Sequence, residues 1–246
     1  MEDQAGNQAE DRFGRTTMLI GPEAMQRLKG SRVAVFGVGG VGGACAEALA
    51  RMGVGAIDLF DGDKVCPSNI NRQIIALHST LGRYKVDVMA ERIKDINPEC
   101  RVGACKLFYM PDTAESVDLS VYDYVIDAID TVAGKIELIV RAKAAGVNII
   151  CAMGAANKMD PMGFVVTDID RTETDPLARV MRKELRARGV TGVKAVWSKE
   201  APVKPAHTDG TDMGQSGRMP PASNSFVPPA CGLTIAAEVI NDLINI

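Results

Sequence analysis

A run of glycines carries the clearest chemical signal in the sequence. The residues from Gly37 to Gly43 read G-V-G-G-V-G-G, and they follow a short β-rich run, Arg32 to Phe36. Glycines let the backbone turn tightly and approach a phosphate, and the N–H groups at the start of the next helix then bind the anion. By itself the pattern favours a nicotinamide dehydrogenase, because many dinucleotide-binding proteins share it. The glycines that we expect beside the nucleotide are Gly37, Gly39, Gly40 and Gly42.

Charged residues after the second β-rich run change this interpretation. Asp61 directly follows that run, where a carboxylate can accept hydrogen bonds from both ribose hydroxyls. Further along, Arg72 and Lys85 stand where they could reach the β- and γ-phosphates of a nucleotide on the glycine loop. A dehydrogenase cofactor has no γ-phosphate, whereas an adenylating enzyme must neutralise the charge that builds on the departing pyrophosphate. Arginine and lysine suit that task, so these cations favour ATP as the nucleotide.

Two carboxylates mark the end of a later predicted strand, in the segment V-I-D-A-I-D-T. They fall at the carboxyl edge of a parallel sheet, where ligands bind in open α/β folds. We expect Asp127 to contact the nucleotide and Asp130 to hold the Mg²⁺ that accompanies a triphosphate. Taken singly, each charged residue is as consistent with a structural role as with a functional one. The structural roles are a helix or turn cap, a strand-end hydrogen bond and a solvated surface charge. Their joint order and spacing favour adenylation.

The elements that must position these residues alternate between strands and helices, which predicts βαβ units and a parallel sheet. Strands are predicted at 32–36, 56–60, 101–107, 124–128 and 148–152, and helices at 44–52, 82–96 and 131–145. Further strands at 163–169 and 193–198 surround a basic helix at 176–188, and a helix at 231–243 closes the chain. The predicted fold class is α/β: a Rossmann-like, mostly parallel sheet with flanking helices, continued by antiparallel strands in the C-terminal half.

The predicted domain organisation is a flexible N-terminal tail, 1–11, followed by a single adenylating domain, 12–246. Residues 12–153 form its nucleotide-binding half and residues 154–246 its substrate-binding half. Within the second half, residues 201–223 are rich in Pro, Gly, Ser and Thr, which predicts a mobile loop.

The composition narrows the classes of partner. The formal net charge of the 246-residue chain is −3, so a nucleic-acid contact must come from a local patch. The polar, acidic N-terminus lacks a signal-peptide core and no apolar run approaches membrane-spanning length, which predicts a cytoplasmic protein without a membrane partner. The six cysteines include no C-x-x-C pair, so we expect no zinc.

Taken together, the motifs resemble the ubiquitin-activating-enzyme-like superfamily of adenylyltransferases. They are R-F-G-R, G-V-G-G-V-G, D-x-D, N-x-N-R-Q, a following lysine and D-A-I-D, spread over residues 12–153. The resemblance implies a homodimer or pseudo-dimer that uses ATP and Mg²⁺, in which Arg15 reaches the partner subunit's ATP. On its own, Arg15 is equally consistent with an exposed residue of an N-terminal arm. The residues that the resemblance places on the nucleotide or its metal are Gly39, Gly40, Asp61, Asp63, Asn69, Arg72, Lys85 and Asp130. Those expected to act in catalysis are Arg15, Arg72, Lys85 and Asp130.

The second half departs from the activators of sulfur-carrier proteins, which usually carry two C-x-x-C pairs for structural zinc. Its segments D-I-D-R-T-E-T-D-P at 168–176, V-W-S-K-E at 196–200 and S-F-V-P-P-A-C-G-L at 225–233 resemble the tRNA threonylcarbamoyladenosine dehydratase branch. This implies that ATP adenylates the threonyl carboxylate of the modified adenosine in the tRNA anticodon loop, and that cyclisation then releases AMP. The alternative is an adenylyltransferase that activates the C-terminus of a ubiquitin-like sulfur carrier.

The basic helix at 176–188 offers a surface for the tRNA. The residues predicted to form a phosphate-binding stripe along one side are Arg179, Arg182, Lys183 and Arg186. The spacing alone slightly favours a solvated amphipathic face, with Val180, Met181 and Leu185 turned inward. The resemblance instead favours the phosphate-binding stripe. Cys231 is interpreted as a buried hydrophobe at the start of an apolar helix. The sequence leaves open a monovalent cation (K⁺ or Na⁺), the cyclic product isomer and a sulfur-transfer protein partner.

Overall fold

The computed structural model of the chain describes residues 11–207 and 221–245. These residues form the strands β1 (Arg32–Phe36), β2 (Ala56–Phe60), β3 (Arg101–Cys105), β4 (Tyr124–Asp127), β5 (Asn148–Ala152), β6 (Phe164–Asp168) and β7 (Lys194–Ser198). The helices are α1 (Gly14–Ile20), α2 (Pro22–Gly30), α3 (Gly40–Arg51), α4 (Lys85–Ile96), α5 (Val132–Ala144), α6 (Pro176–Ala187) and α7 (Val227–Ile244). Residues 1–10 of the predicted tail at 1–11 and residues 208–220 of the predicted mobile loop at 201–223 lie outside the described residues.

All of these strands belong to one seven-stranded sheet, in the order β3-β2-β1-β4-β5-β7-β6. β1 lies between β2 and β4 and is parallel to both. The loops that leave the carboxyl ends of β1 and β4 therefore diverge and open a crevice between them. β7 extends the parallel set beside β5, and β6 is antiparallel to β7 at the edge. The predicted fold class is confirmed, with the antiparallel pairing confined to the last two strands of the sheet.

Helices cover both faces of the sheet. The apolar sides of α2, α3, α4 and α7 pack on one face, and those of α5 and α6 pack on the other. The central strands β1, β2 and β4 are consequently buried on both faces, which explains their nearly continuous apolar sequences. The strands that lead to the loops are therefore packed between helices on both faces of the sheet.

Two helices begin earlier than the sequence predicts. α3 begins at Gly40 rather than at residue 44, because the last glycines of the loop form its first turn. α7 begins at Val227 rather than at residue 231, with Pro228 and Pro229 in its first turn, where a helix does not need the missing N–H group.

The length of α7 corrects another expectation, that no apolar run approaches membrane-spanning length. Its 18 residues are long and apolar enough to cross a membrane, and half of them are buried inside the protein. A Cβ on Gly232 would collide with the carbonyl oxygen of Val41, so α7 and α3 are in close backbone contact. A helix enclosed between another helix and a sheet is apolar on most faces, which gives it the composition of a membrane span.

Candidate active site

A cavity of about 550 Å³ opens at the carboxyl edge of the sheet. Its wall includes residues of the loops that follow β1, β2, β3, β4 and β5, together with the first residue of α4. It therefore lies at the point where the loops after β1 and β4 diverge, as the topology requires for a ligand site. The predicted site residues that line it are Gly37, Gly39, Gly40, Asp61, Asp63, Arg72, Lys85 and Asp130.

The glycines of the loop have different structural roles. Gly37 has a φ of 89°, and a Cβ there would lie 2.5 Å from the carbonyl oxygen of Ala128. A Cβ on Gly42 would collide with the Gly37 carbonyl oxygen, so Gly42 closes the turn from outside the cavity lining. Gly39 and Gly40 line the cavity at the N-terminus of α3. The first N–H groups of a helix have no partner within the helix, so those of α3 can bind an anion in the cavity.

Asp61 ties the glycine loop to the loop that follows β2. Its Oδ2 accepts a hydrogen bond from the Val38 N–H at 2.8 Å, and its Oδ1 accepts one from the Asp63 N–H at 2.8 Å. Burial raises the pKa of Asp61, and the nearby Lys85 ammonium opposes that rise. Because a carboxylate oxygen accepts two hydrogen bonds, each oxygen keeps one acceptor position for a ligand. This geometry suits the predicted contact with ribose hydroxyls.

Lys85 brings a nearly buried positive charge to the cavity. It is the first residue of α4, and its side chain is 8% exposed. Its Nζ lies 2.7 Å from Asp63 Oδ2 and 3.9 Å from Asp61 Oδ2. Asp63, which the sequence places on the nucleotide, is therefore the counter-ion of Lys85 in this structure. A polyphosphate in the cavity would compete with Asp63 for the ammonium.

Arg72 lies over the first turn of α3. Its carbonyl oxygen would be 3.1 Å from a Cβ on Gly40, so the segment is tightly packed there. The guanidinium Nη1 donates to the Ser68 carbonyl oxygen at 2.8 Å and to Asn71 Oδ1 at 2.9 Å. Its Nε and Nη2 groups have no hydrogen-bond partner within the described residues, so they are available to a phosphate.

Asn69 is buried in the loop that carries Arg72 and does not line the cavity. Its Oδ1 accepts a hydrogen bond from the Cys66 N–H at 3.2 Å. Its carbonyl oxygen accepts from the N–H groups of Arg72, at 3.1 Å, and Gln73, at 2.9 Å. Asn69 thus shapes the turn that presents Arg72, and it lies outside the cavity lining that the sequence predicts for it.

The two carboxylates of the D-A-I-D segment have different surroundings. Asp130 is exposed and lines the cavity, in a position to meet a metal that accompanies phosphates. Asp127 is fully buried outside the cavity lining, where its Oδ2 lies 2.9 Å from Lys135 Nζ. The structure therefore does not place Asp127 against a nucleotide, because its carboxylate is engaged inside the protein.

Arg15 lies away from the cavity of its own chain. It is exposed on α1, and it is not among the residues that line the cavity. On the same helix, Met18 and Leu19 are 87% and 83% exposed. The reach of Arg15 into a second subunit stays a prediction.

Only part of the predicted basic stripe on α6 is free. Arg182 Nη1 donates to the Thr172 carbonyl oxygen at 2.8 Å, and Arg186 Nε donates to Asp170 Oδ1 at 2.9 Å. Within residues 11–207 and 221–245, Arg179 and Lys183 form no ion pair and are exposed. The buried side chains of α6 are Ala178, Met181 and Leu185, whereas Val180 is exposed.

Asp175 connects α6 to the cavity, a role that the sequence alone does not reveal. Its Oδ1 caps the helix by accepting from the Ala178 N–H at 2.9 Å. Its Oδ2 accepts from the N–H of Gly154, a residue of the cavity wall, at 2.9 Å. The Asp-Pro pair at the start of a predicted helix was a signal for the cap, but the contact with Gly154 depends on the fold.

An aromatic wall on one side of the cavity is a second feature that the sequence motifs do not reveal. The rings of Phe36 and Phe60 stack at 4.3 Å between centroids, and Tyr109 meets Phe36 edge-on at 4.9 Å. Within the described residues the buried Tyr109 hydroxyl has no hydrogen-bond partner, and burial raises its pKa to about 12. Phe36 and Phe60 end β1 and β2, so the predicted strands already put them at the carboxyl edge. A flat apolar wall suits a nucleobase.

Cys231 is inert by its surroundings. It is fully buried on α7, and burial raises the pKa of its thiol to about 12. A thiol that stays protonated at neutral pH is a poor nucleophile. Elsewhere in the described residues, no group of three or more His, Cys, Asp or Glu side chains is arranged to hold a metal ion. A Mg²⁺ held by one carboxylate and the phosphates of its nucleotide needs no such group.

The fold and this cavity define a nucleotide-binding protein built on a Rossmann-like sheet, with cations and a carboxylate placed for a polyphosphate. Residues 13–245 match the ThiF family. The chain belongs to that family.

The chain is similar over almost its whole length to proteins of known activity. It is 46% identical over 240 residues to the tRNA threonylcarbamoyladenosine dehydratase of Bacillus subtilis, covering 95% of this chain and 94% of that protein. It also resembles crystal structures of the Escherichia coli tRNA N6-threonylcarbamoyladenosine dehydratase TcdA, in complex with ATP (TM-score 0.84) and with AMP (TM-score 0.86). Each of these structures is 38% identical to the chain, covering 95% of this chain and 94% of the crystallised one.

Proposed function

We propose that this protein is an ATP-dependent dehydratase that acts on threonylcarbamoyladenosine in the anticodon loop of tRNA. The observation that carries the proposal is the meeting of the glycine loop, Asp61, Arg72 and Lys85 around one cavity, in a chain similar to such dehydratases over its length. An adenylating enzyme needs this combination, because the nucleotide is held at its ribose while the pyrophosphate departs.

The proposed reaction has two steps. A carboxylate oxygen of the threonyl group attacks the α-phosphorus of ATP, and the bond from that phosphorus to the bridging oxygen breaks to release pyrophosphate. A nitrogen or oxygen of the same side chain then attacks the activated acyl carbon, loses its proton and expels AMP. The substrate has lost one water in total. Because the second attack is intramolecular, its effective concentration is high and no protein nucleophile is needed, in keeping with the buried, protonated Cys231.

The charges around the cavity support a role for Mg²⁺. The lining carries three carboxylates, Asp61, Asp63 and Asp130, against two cations, Arg72 and Lys85. These side chains alone do not balance the charge of a triphosphate. A Mg²⁺ between Asp130 and the phosphates would supply positive charge, and it prefers such oxygen ligands. In this arrangement Asp61 holds the ribose, and Arg72 and Lys85 stabilise the departing pyrophosphate.

A second subunit would add another cation. We infer that the protein is a homodimer in which Arg15 of one subunit acts at the ATP of the other. The support is on α1, where Met18 and Leu19 leave large apolar side chains exposed beside Arg15. Covering those side chains with a second chain would place Arg15 at the interface.

The dimer proposal is tested by mixing two inactive variants. Arg15→Ala and Lys85→Met each remove one charge from every site of a homodimer. In a mixed dimer, one of the two sites has both charges intact if Arg15 acts across the interface. Refolding the variants together should therefore restore part of the pyrophosphate release. Mixtures that stay inactive, although mass measurements show mixed dimers, would contradict this role of Arg15.

For the tRNA contact, the structure favours Arg179 and Lys183 over the other basic residues of α6. They are exposed and unpaired within the described residues, whereas Arg182 and Arg186 have partners. Asp175 links this helix to the cavity wall, so a tRNA bound along α6 would lie close to the nucleotide. Phosphate contacts of this kind make binding depend on salt.

A salt titration tests this surface. In the variant Arg179→Ala/Lys183→Ala, the slope of log Kd for tRNA against log salt concentration should fall by about one for each phosphate that is no longer neutralised. The control is Arg101→Ala, which removes an exposed arginine from β3 at the other side of the sheet. ATP binding should be unchanged in both variants. An unchanged salt slope in the double variant would remove α6 from the tRNA site.

The proposed activity itself is tested with defined substrates. The protein is incubated with ATP and either tRNA that carries threonylcarbamoyladenosine, tRNA that lacks it, or a ubiquitin-like sulfur carrier. Pyrophosphate release is measured together with the mass of the modified nucleoside. Release that depends on the modified tRNA, with a product lighter by one water, is expected. Release with the carrier protein but not with the modified tRNA would overturn the proposal.

A further inference from the structure

A fully buried ion pair lies directly beneath the cavity, and the proposed reaction does not use it. Asp127 ends β4 and Lys135 lies in the first turns of α5. Both side chains are 0% exposed, and Lys135 Nζ lies 2.9 Å from Asp127 Oδ2. Removing two charges from water is costly, and their attraction often only balances that cost. Within the described residues neither side chain lines the cavity. The pair therefore has a role other than direct contact with a nucleotide.

The pair holds both backbone polar groups of one residue, Ile129. The N–H of Ile129 donates to Asp127 Oδ1 at 3.1 Å, and Lys135 Nζ donates to the Ile129 carbonyl oxygen at 3.0 Å. A carboxylate can only accept hydrogen bonds and an ammonium can only donate them. An acid and a base together therefore satisfy both backbone groups of Ile129, and each neutralises the charge of the other. The next residue in the chain is Asp130.

The glycine loop restrains the same turn from the opposite side. A Cβ on Gly37 would lie 2.5 Å from the carbonyl oxygen of Ala128 and 3.2 Å from the Ile129 nitrogen. A Cβ on Gly42 would lie 3.2 Å from the Ala128 Cβ. The turn and the glycine loop are therefore in close backbone contact, while Asp127 and Lys135 bind the turn from its other side.

We propose that Asp127 and Lys135 are positioning residues that hold the turn at 128–130, so that Asp130 meets the Mg²⁺ of bound ATP. The inference rests on the proposed function, because Asp130 needs a metal–nucleotide complex as its ligand. In this proposal the ion pair acts through the backbone of Ile129 and touches neither the nucleotide nor the metal.

The test measures binding of ATP alone, in the absence of tRNA. The dissociation constant of ATP is determined by calorimetry with and without Mg²⁺, and the ratio of the two values is the Mg²⁺ gain. Asp130→Asn should reduce this gain about tenfold, as expected for one charged contact. Lys135→Met by itself leaves a buried carboxylate unpaired and is expected to destabilise the fold.

The informative variant is therefore Asp127→Asn/Lys135→Met, which removes both charges and keeps the side-chain shapes similar. Its thermal unfolding midpoint should stay close to that of the wild type, while its Mg²⁺ gain falls about tenfold, as in Asp130→Asn. Adding Asp130→Asn to it should cause no further reduction, since residues that act through one contact are not additive. The matched control is Arg32→Met, which breaks the ion pair with Asp58 at the other end of β1 and should keep the full Mg²⁺ gain.

Four results would overturn the inference. The double variant could keep the full Mg²⁺ gain, its effect could add to that of Asp130→Asn, or it could fail to fold, which would make the pair a requirement of the fold itself. The wild type could also bind ATP equally well with and without Mg²⁺. The last result leaves the proposed function standing if the modified tRNA still triggers pyrophosphate release. Conversely, a wild type with a Mg²⁺ gain but no release with that tRNA contradicts the proposed function alone.

Discussion

The contact between Asp61 and the ribose can be tested by removing a single charge. The change is Asp61→Asn, which keeps the size of the side chain. In the structure each carboxylate oxygen already accepts one backbone N–H at 2.8 Å. Each has one acceptor position left for a ribose hydroxyl. The variant amide has a single acceptor oxygen, so it cannot serve both backbone donors and both hydroxyls.

The expected change in nucleotide affinity follows from the number of hydrogen bonds that the ribose loses. A hydrogen bond to a charged group contributes about 1.5–3 kcal/mol, which corresponds to about a tenfold to hundredfold change in affinity. Wild-type protein should therefore bind ATP at least about tenfold more tightly than 2′-deoxy-ATP. In Asp61→Asn the preference should fall to a few-fold or less, because a neutral contact is roughly half as strong. Since burial raises the pKa of Asp61, the wild-type preference should also fade as the pH falls through that raised pKa and the carboxylate is protonated.

The assay is competition between ATP, 2′-deoxy-ATP and 3′-deoxy-ATP for the wild type and the variant. The control is Asp58→Asn on β2, the strand that precedes Asp61, because Asp58 pairs with Arg32 at 2.6 Å outside the cavity lining. That variant should be less stable but should keep the preference for the full ribose. If Asp61→Asn discriminates between the nucleotides as strongly as the wild type, Asp61 does not bind the ribose.

Three other features make separate predictions. Gly42→Ala places a Cβ against the Gly37 carbonyl oxygen, so it should lower the free energy of unfolding by about 2 kcal/mol or more and should also weaken ATP binding. Its control, Gly30→Ala, has open space for the Cβ and should leave the unfolding midpoint unchanged or higher. Similar effects of the two variants would contradict the packing argument. Two backbone N–H groups lower the pKa of Glu200, so its contribution to stability is present above the ordinary pKa of a glutamate and is lost as the pH falls through the lowered one. Unfolding of Glu200→Gln should thus be less sensitive to acid, and identical pH profiles would refute this. Cys231→Ala should retain turnover because the thiol is buried and protonated; normal ATP binding without turnover would instead give the thiol a chemical role.

Much of the fold could be predicted because local patterns and global topology agree. The runs at β1, β2 and β5 have the predicted bounds, since strands buried on both faces are apolar throughout. The starts of α3 and α7 were harder to predict. Glycine and proline normally interrupt helices, but here glycines provide close approach to a neighbour and prolines occupy the one turn that tolerates them.

The sequence by itself determined which residue types gather at the cavity, because residues that follow parallel strands share one edge of the sheet. This places Asp61 and Asp130 there, and the motif spacing adds Arg72 and Lys85. Only the tertiary structure decided how those residues are used. Asp127 and Lys135 neutralise each other inside the protein, because only the packing of α5 under β4 brings an ammonium to that carboxylate. The burial of a side chain and its distance from a partner on another element depend on how the elements pack, and local sequence does not encode that packing.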